Sequence, residues 1–85
     1  MKYQVIWGPV VEAQLAAVWI AAPDRSAVTR AVDWLEQRLS RMPLHLGEAR
    51  ESSVHRVAFQ SPLGIEYVVI EDDKRVLVQA VFAVE

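Results

Sequence analysis

The sequence contains no cysteine, only three glycines and only two histidines among its 85 residues. Without cysteine, neither a disulfide nor a thiolate metal site can stabilise the fold, and this usage fits a reducing cytosol. Three glycines are too few for a phosphate-cradling loop or a nucleophile elbow. The two histidines lie ten residues apart and lack the spacing of metal ligands on a helix. The composition therefore predicts neither a metal site nor a bound cofactor.

Long apolar runs are also absent. The longest mainly apolar stretch, residues 10–22, is too short to span a membrane and contains Glu12 and Gln14. The first residues lack the apolar core of a secretory signal peptide. With 53% hydrophobic residues and three tryptophans, the chain can still form a compact core. We therefore expect one small, soluble, cytoplasmic domain over residues 1–85, with no membrane partner.

An excess of positive charge is missing too, since the formal net charge is −2 at pH 7. A net-acidic chain lacks the general attraction to phosphate on which basic RNA-binding proteins depend. The charge is nevertheless uneven: residues 1–24 sum to −1, residues 25–56 to +2 and residues 57–85 to −3. Any anion-binding region is therefore expected in the second predicted helix or in the link that follows it.

Apolar periodicity in the first half of the chain predicts a strand and a helical hairpin. An alternating stretch from Tyr3 to Trp7 predicts the strand, and a Gly-Pro pair ends it. Two helices follow, separated by a turn at residues 23–26, and the second should end at Met42 because proline comes next. The apolar stripes contain Val11, Leu15, Val18, Trp19 and Ala22 in the first helix and Val28, Ala31, Val32, Leu35, Leu39 and Met42 in the second.

The second half predicts three strands after a ten-residue link, residues 44–53. Runs rich in β-branched residues at 54–60, 65–70 and 76–84 are separated by short polar turns, which is typical of an antiparallel meander. We therefore predict an α+β fold of order β-α-α-β-β-β, an antiparallel sheet with the two-helix hairpin packed on one face. The predicted core contains Leu15, Trp19, Leu35, Leu39, Val57, Phe59, Tyr67, Val69 and Val78.

The polar residues with potential for chemistry lie in the link and in the first two strands after it, and they are Glu48, Arg50, His55, Arg56, Glu66 and Tyr67. Cleavage of RNA through its own 2′-hydroxyl needs a base, cations for the developing phosphate charge and an acid for the leaving oxygen. Arg50 and Arg56 would bind phosphate. Glu48 or His55 would act as the base, and Tyr67 would stack on a nucleobase or donate a proton. Alternatively, the arginines are surface cations paired with glutamates, and Tyr67 is a core aromatic residue.

The order of elements and several short motifs resemble the RelE/ParE toxin superfamily of type II toxin–antitoxin modules, in its large RelE-like subgroup. The pattern is a proline followed by "GE.R", a further arginine, then "PL.V.Y.V" and "V.V..V". The corresponding residues are Pro43, Gly47, Glu48, Arg50, Arg56, Pro62, Leu63, Ile65, Tyr67, Val69, Val76, Val78 and Val81. The resemblance covers nearly the whole chain and implies a toxin with a cognate antitoxin as its partner. Some members of the superfamily cleave mRNA on the ribosome, whereas others block DNA gyrase without cleaving anything.

Two departures from this pattern bear on activity. RNA-cleaving relatives commonly carry an arginine where this chain has Gly64, and a tyrosine or histidine near the end of the last strand. Here residues 78–85 contain no titratable side chain before Glu85. Three functions therefore stay open: a ribosome-dependent mRNA endoribonuclease, a non-catalytic toxin of the gyrase-inhibitor type, and a non-toxic member that only binds an antitoxin-like partner.

The resemblance also implies a surface that the antitoxin covers. Ile20 lies outside the apolar stripe of the first helix, and Trp34 lies at the edge of the second stripe, beside Arg38 and Arg41. Tryptophan and arginine are the residue types that most often dominate interface energy. We therefore predict that Ile20, Trp34, Arg38 and Arg41 contact the partner. In the alternative interpretation, Trp34 packs partly into the core and Ile20 is an ordinary exposed residue.

Overall fold

A computed structural model of the chain describes residues 2–84, which form two helices and a five-stranded sheet. The elements are β1 (Gln4–Trp7), α1 (Pro9–Ala21), α2 (Arg25–Arg41), β2 (Glu48–Ser52), β3 (His55–Gln60), β4 (Leu63–Ile70) and β5 (Arg75–Ala83). The strand order across the sheet is β1-β5-β4-β3-β2. The predicted α+β fold, with a helical hairpin between the first strand and the meander, is confirmed.

The sheet differs from the sequence prediction in two details. β2 forms inside residues 44–53, where the sequence predicts only a link. All five of its residues are exposed, so it depends on hydrogen bonds with β3, and no apolar periodicity signals it. In addition, β1 pairs with β5 in parallel, so the sheet is mixed. Alternation of apolar residues predicts a strand but carries no information about its direction.

The ends of the helices follow from local chemistry. Pro9 is the first residue of α1, where its missing N–H would have had no partner within the helix. The carboxylate of Asp24 caps α2 by accepting a hydrogen bond from the N–H of Ala27 at 3.2 Å. α2 ends at Arg41, ahead of Pro43. At 17 residues α2 is the longer helix, and no helix of the described chain has the length and apolarity needed to cross a membrane.

The core lies between the helices and one face of the sheet. Leu35 and Leu39 of α2 are fully buried, as is Tyr67 on the central strand β4. Along β4 every second residue is buried against the helices, because successive side chains of a strand point to opposite faces. The buried cluster consists of Val11, Val28, Ala31, Leu35, Leu39, Ala58, Leu63, Ile65, Tyr67, Val69, Val76, Val78 and Val81.

Two residues of the predicted core are exposed, and for these the prediction was wrong. Trp19 is 41% exposed because α1 packs loosely: Val11 is its one fully buried residue, and Leu15 is half-buried. The ring of Trp19 is instead covered by the guanidinium of Arg25 at 4.7 Å. Phe59 is 58% exposed because it lies on the face of the sheet away from the helices.

Candidate functional site

The register of the sheet sorts the predicted site residues onto two faces. Residues directly opposite each other on neighbouring strands point to the same face. Arg56 pairs with Tyr67, and Tyr67 pairs with Val78, which is part of the core beneath the helices. The other side of the sheet, termed the open face, contains Gln4, Ile6, Glu48, Ser52, His55, Val57, Phe59, Gly64, Glu66, Val68, Ile70, Arg75, Leu77, Ala80 and Phe82.

Tyr67 is engaged in the interior on the helix side of the sheet. Its hydroxyl lies 2.8 Å from the carbonyl oxygen of Pro43 and 2.7 Å from that of Leu46, so these two acceptors share its single proton. Burial raises the pKa of Tyr67 above its usual value, and the nearby Arg56 guanidinium opposes this only in part. The phenol therefore stays protonated at neutral pH and keeps donating to the link before β2.

Arg56 completes this arrangement with all three of its guanidinium nitrogens. Nε donates to the carbonyl of Leu46 at 3.0 Å, Nη1 to that of Ser53 at 3.0 Å, and Nη2 to that of Gly47 at 3.1 Å. We term Arg56 and Tyr67 the brace, because together they tie the link between α2 and β2 to the sheet. The brace fixes where β2 begins, and its polar groups face the link and not the open face.

Gly47 lets the link approach the sheet closely. Its φ of +67° lies in the left-handed region, which favours glycine. A side-chain Cβ at this position would stand 2.0 Å from the carbonyl oxygen of Val57. A residue other than glycine would push the start of β2 away from β3. The glycine of the "GE.R" motif therefore has a structural reason, and it places Glu48 on the open face.

On the open face, the structure brings His55 close to Glu66. The Nε2 atom of His55 lies 3.7 Å from Oε1 of Glu66, and both side chains are partly exposed. Glu48 stands opposite Val57, which stands opposite Glu66, so the backbones of the two glutamates are two strand spacings, about 10 Å, apart. Arg50 falls in an irregularity of the β2–β3 pairing, where the register does not assign it to a face.

This arrangement limits the chemistry that the open face can perform. An imidazole beside a carboxylate can move a proton, which suits general acid–base catalysis. Within residues 2–84, no three histidine or acidic side chains are placed to hold a metal ion. The open face thus offers proton transfer and charge, contributed by His55, Glu48 and Glu66.

An aromatic pair on the open face was missed by the sequence analysis as a site feature. The rings of Phe59 and Phe82 meet edge to face, with centroids 6.1 Å apart and planes at 75°. Gly64 lies between them on β4, and a Cβ there would come within 2.4 Å of the Phe82 ring. A glycine inside a strand often marks a close approach of another group. That glycine is the signal in the sequence that could have pointed to the pair.

The structure separates the residues predicted to contact a partner. Trp34 is half-buried, and the guanidinium of Arg38 lies 4.8 Å above its ring. Arg38 also lines a cavity of about 230 Å³, together with Gln37, Arg41 and Met42. Ile20 is 64% exposed and sits at the end of α1, where its carbonyl accepts a hydrogen bond from Arg25 at the start of α2. Trp34 lies nine residues after Arg25, about 13 Å further along the axis of α2. Trp34, Arg38 and Arg41 therefore form one patch, and Ile20 stands apart from it.

Two solved structures share this fold along the whole chain. In the RelBE2 toxin–antitoxin complex from Mycobacterium tuberculosis, a chain matches with a TM-score of 0.77 and 21% identity, covering 98% of this chain and 99% of that chain. In the chromosomal ParDE toxin–antitoxin system from P. aeruginosa, a chain matches with a TM-score of 0.71 and 14% identity, covering 99% and 98% respectively. No protein-family model and no curated protein matches the sequence. The chain therefore shares the fold of the matched chains in these two complexes.

Proposed function

We propose that this chain is the toxin of a type II toxin–antitoxin module and that it acts by binding its target without cleaving RNA. The observation that carries the proposal is the likeness, over nearly the full length of both chains, to structures of two toxin–antitoxin assemblies. Its regulatory partner is then a small antitoxin protein, which contacts the patch of Trp34, Arg38 and Arg41. Its site of action is the cytoplasm, where ribosomes and DNA gyrase are found.

Three features support binding over RNA cleavage. The guanidinium of Arg56 already donates from each of its nitrogens to a backbone carbonyl, and Tyr67 faces the helices. Glu48 and Glu66 on the open face would repel the phosphates of an RNA strand. Gly64 occupies the position where RNA-cleaving relatives carry an arginine. Stabilisation of a phosphorane-like transition state needs cationic donors, and the register places no arginine or lysine opposite Glu48 or Glu66.

A ribosome-dependent endoribonuclease is the second candidate, and the pairing of His55 with Glu66 supports it. An imidazole beside a carboxylate can act as base or acid in turn, as RNA cleavage requires. Arg50 is exposed and would then supply the cation for phosphate. In this mechanism Glu48 is the alternative base. The brace residues Arg56 and Tyr67 would support the site only by positioning β2.

The deciding experiment is inducible expression in a bacterial host while growth, ribosome-bound mRNA and DNA supercoiling are followed together. We expect growth arrest with intact mRNA, relieved by co-expression of a small protein encoded beside this gene. Absence of any growth effect, with a complex still forming, would favour the non-toxic alternative. Absence of both would remove the toxin–antitoxin proposal.

Site-directed variants separate the two candidates further. If mRNA is cleaved, Arg50→Ala and His55→Ala should abolish cleavage while the melting temperature stays nearly unchanged. Arg75→Ala is the matched control, because Arg75 is an exposed arginine on β5, three strands away from Arg50 on β2. Cleavage that is lost in Arg50→Ala and kept in Arg75→Ala would replace the binding proposal with the nuclease.

A further inference from the structure

The open face carries an aromatic pair, Phe59 and Phe82, that is not part of the hydrophobic core. Phe59 is 58% exposed and held edge-on against Phe82, with Gly64 providing the space beneath them. Exposed rings give up the stabilisation that burial would provide, roughly 25 cal/mol for each Å². Aromatic residues that stay exposed and well ordered are enriched where a partner binds. The pair is therefore preorganised for contact with another molecule.

Two carboxylates, those of Glu48 and Glu66, lie beside this pair. Glu66 is two residues from Gly64 on the same face of β4, about 7 Å along the strand. Glu48 stands in the same row as Glu66, with Val57 between them. Within residues 2–84, neither carboxylate forms an ion pair with a lysine or arginine, and the neighbour of Glu66 is His55. The charge of the open face is therefore available to an incoming cation.

We infer that the open face binds a polypeptide segment that presents arginine next to an apolar side chain. A guanidinium pairs with carboxylates through two parallel hydrogen bonds and also lies favourably over an aromatic ring. Lysine is a point charge without a planar face, so it pairs with a carboxylate without the two parallel hydrogen bonds, and it lies over aromatic rings less often than arginine. Val68 and Leu77 extend the apolar floor beside this site. The inference rests on the proposed function, because it specifies the chemistry of a partner for a toxin that acts by contact.

The same arrangement disfavours single-stranded RNA as the ligand. Bases would stack on Phe59, but the phosphates that join them would meet Glu48 and Glu66. Arg75 is at the far end of β5, opposite Ile70, and the guanidinium of Arg56 is bound to the link. RNA would therefore stack on the aromatic pair, but its phosphates would be repelled by the carboxylates. An arginine-bearing segment would be attracted to both the rings and the carboxylates.

The test is calorimetric titration of the purified protein with a synthetic peptide of alternating arginine and leucine. Matched peptides with lysine or glutamate in place of arginine, and a single-stranded RNA oligonucleotide, are titrated in parallel. We expect the arginine peptide to bind more tightly than the lysine peptide, and the glutamate peptide and the RNA not to bind. Glu48→Gln combined with Glu66→Gln, or Phe59→Ala alone, should weaken arginine-peptide binding at least about tenfold.

Asp72→Asn combined with Asp73→Asn is the control, because it removes the same charge from the exposed β4–β5 turn. Equal weakening by the control would show general attraction to an acidic protein and would overturn the inference, as would RNA binding tighter than peptide binding. If the protein arrests growth but does not bind the arginine peptide, this inference alone is refuted. A protein that binds the peptide but never arrests growth refutes the proposed function and leaves the inference standing.

Discussion

Tyr67 links the central strand to the segment that leads into β2. Replacement by phenylalanine keeps the ring and removes the hydroxyl that the carbonyls of Pro43 and Leu46 share. We expect Tyr67→Phe to lower the free energy of unfolding by about 1–3 kcal/mol, since a buried carbonyl loses its donor. Urea unfolding at neutral pH measures the difference. Tyr3→Phe, at the edge of the sheet, is the control and should cost less.

Because the pKa of Tyr67 is raised, we expect Tyr67→Phe also to change how stability depends on pH under alkaline conditions. Its stabilising contribution is complete below the unfolded pKa of about 10 and is lost as pH rises through the higher folded pKa. Stability should therefore fall above about pH 10, and less steeply in Tyr67→Phe. Glu71 raises the pKa values of Tyr3 and Lys74 by hydrogen bonding to them. Both groups are present in both proteins, so the difference in slope reports Tyr67. Equal slopes would contradict this prediction.

Gly47 and Gly8 are a matched pair for testing whether a position requires glycine. Gly47→Ala must adopt a positive φ and meets the Val57 carbonyl, so we expect a loss of at least about 1–3 kcal/mol. Gly8 has a φ of −68° and open space around its Cα, so Gly8→Ala should be neutral or slightly stabilising. Thermal unfolding of both variants measures this contrast. Similar melting temperatures would mean that the link does not approach β3 as described.

Of the two helices, α2 contributes more to the core. Leu35→Ala should cost about 2–5 kcal/mol, because Leu35 is fully buried and its removal leaves a cavity. Trp19→Ala on α1 removes a larger side chain but should cost less, since Trp19 is exposed. Chemical denaturation of the two variants compares them directly. A greater loss for Trp19→Ala would indicate that α1 packs more tightly than the structure shows.

The outer side of α2 is where we expect the antitoxin. Arg38→Glu should weaken binding of the antitoxin about tenfold or more and leave folding nearly unchanged, because Arg38 is exposed and stacks on Trp34. Trp34→Ala should also weaken binding more than folding. Arg30→Glu is the control, because Arg30 is an exposed arginine in the first half of α2. Tight binding by both Arg38→Glu and Trp34→Ala would place the partner elsewhere.

How far the sequence predicts each element depends on where its stabilisation originates. α2 and β4 carry their own signal, since Leu35, Leu39 and Tyr67 fall on regular apolar periods and are buried. β2 has no such signal, because five exposed residues pair only through the backbone of β3. The prediction that Phe59 is buried was wrong for a related reason. Alternation shows that it shares a face with Val57, but which face the helices cover is decided by tertiary packing.

The candidate site was predictable in composition but not in arrangement. His55 and Arg56 are adjacent in sequence, and the pleat sends them to opposite faces, so one belongs to the open face and the other to the brace. Neither the three carbonyls that Arg56 binds nor the space above Gly64 can be read from residue types. The molecule as a whole is therefore a layered structure with one closed face and one open face, and its chemistry depends on which residues each face receives.

The parallel pairing of β1 with β5 has a consequence for synthesis of the protein. Gln4 is paired with Arg75, so the first strand and its partner are separated by nearly the whole sequence. Contacts between distant residues form slowly, because a long loop must close before they contribute. As the chain leaves the ribosome, β1 and both helices emerge before the strand on which β1 and α1 pack. The nascent polypeptide cannot complete its sheet before β5 has left the ribosome, and any activity of the folded domain begins only after that.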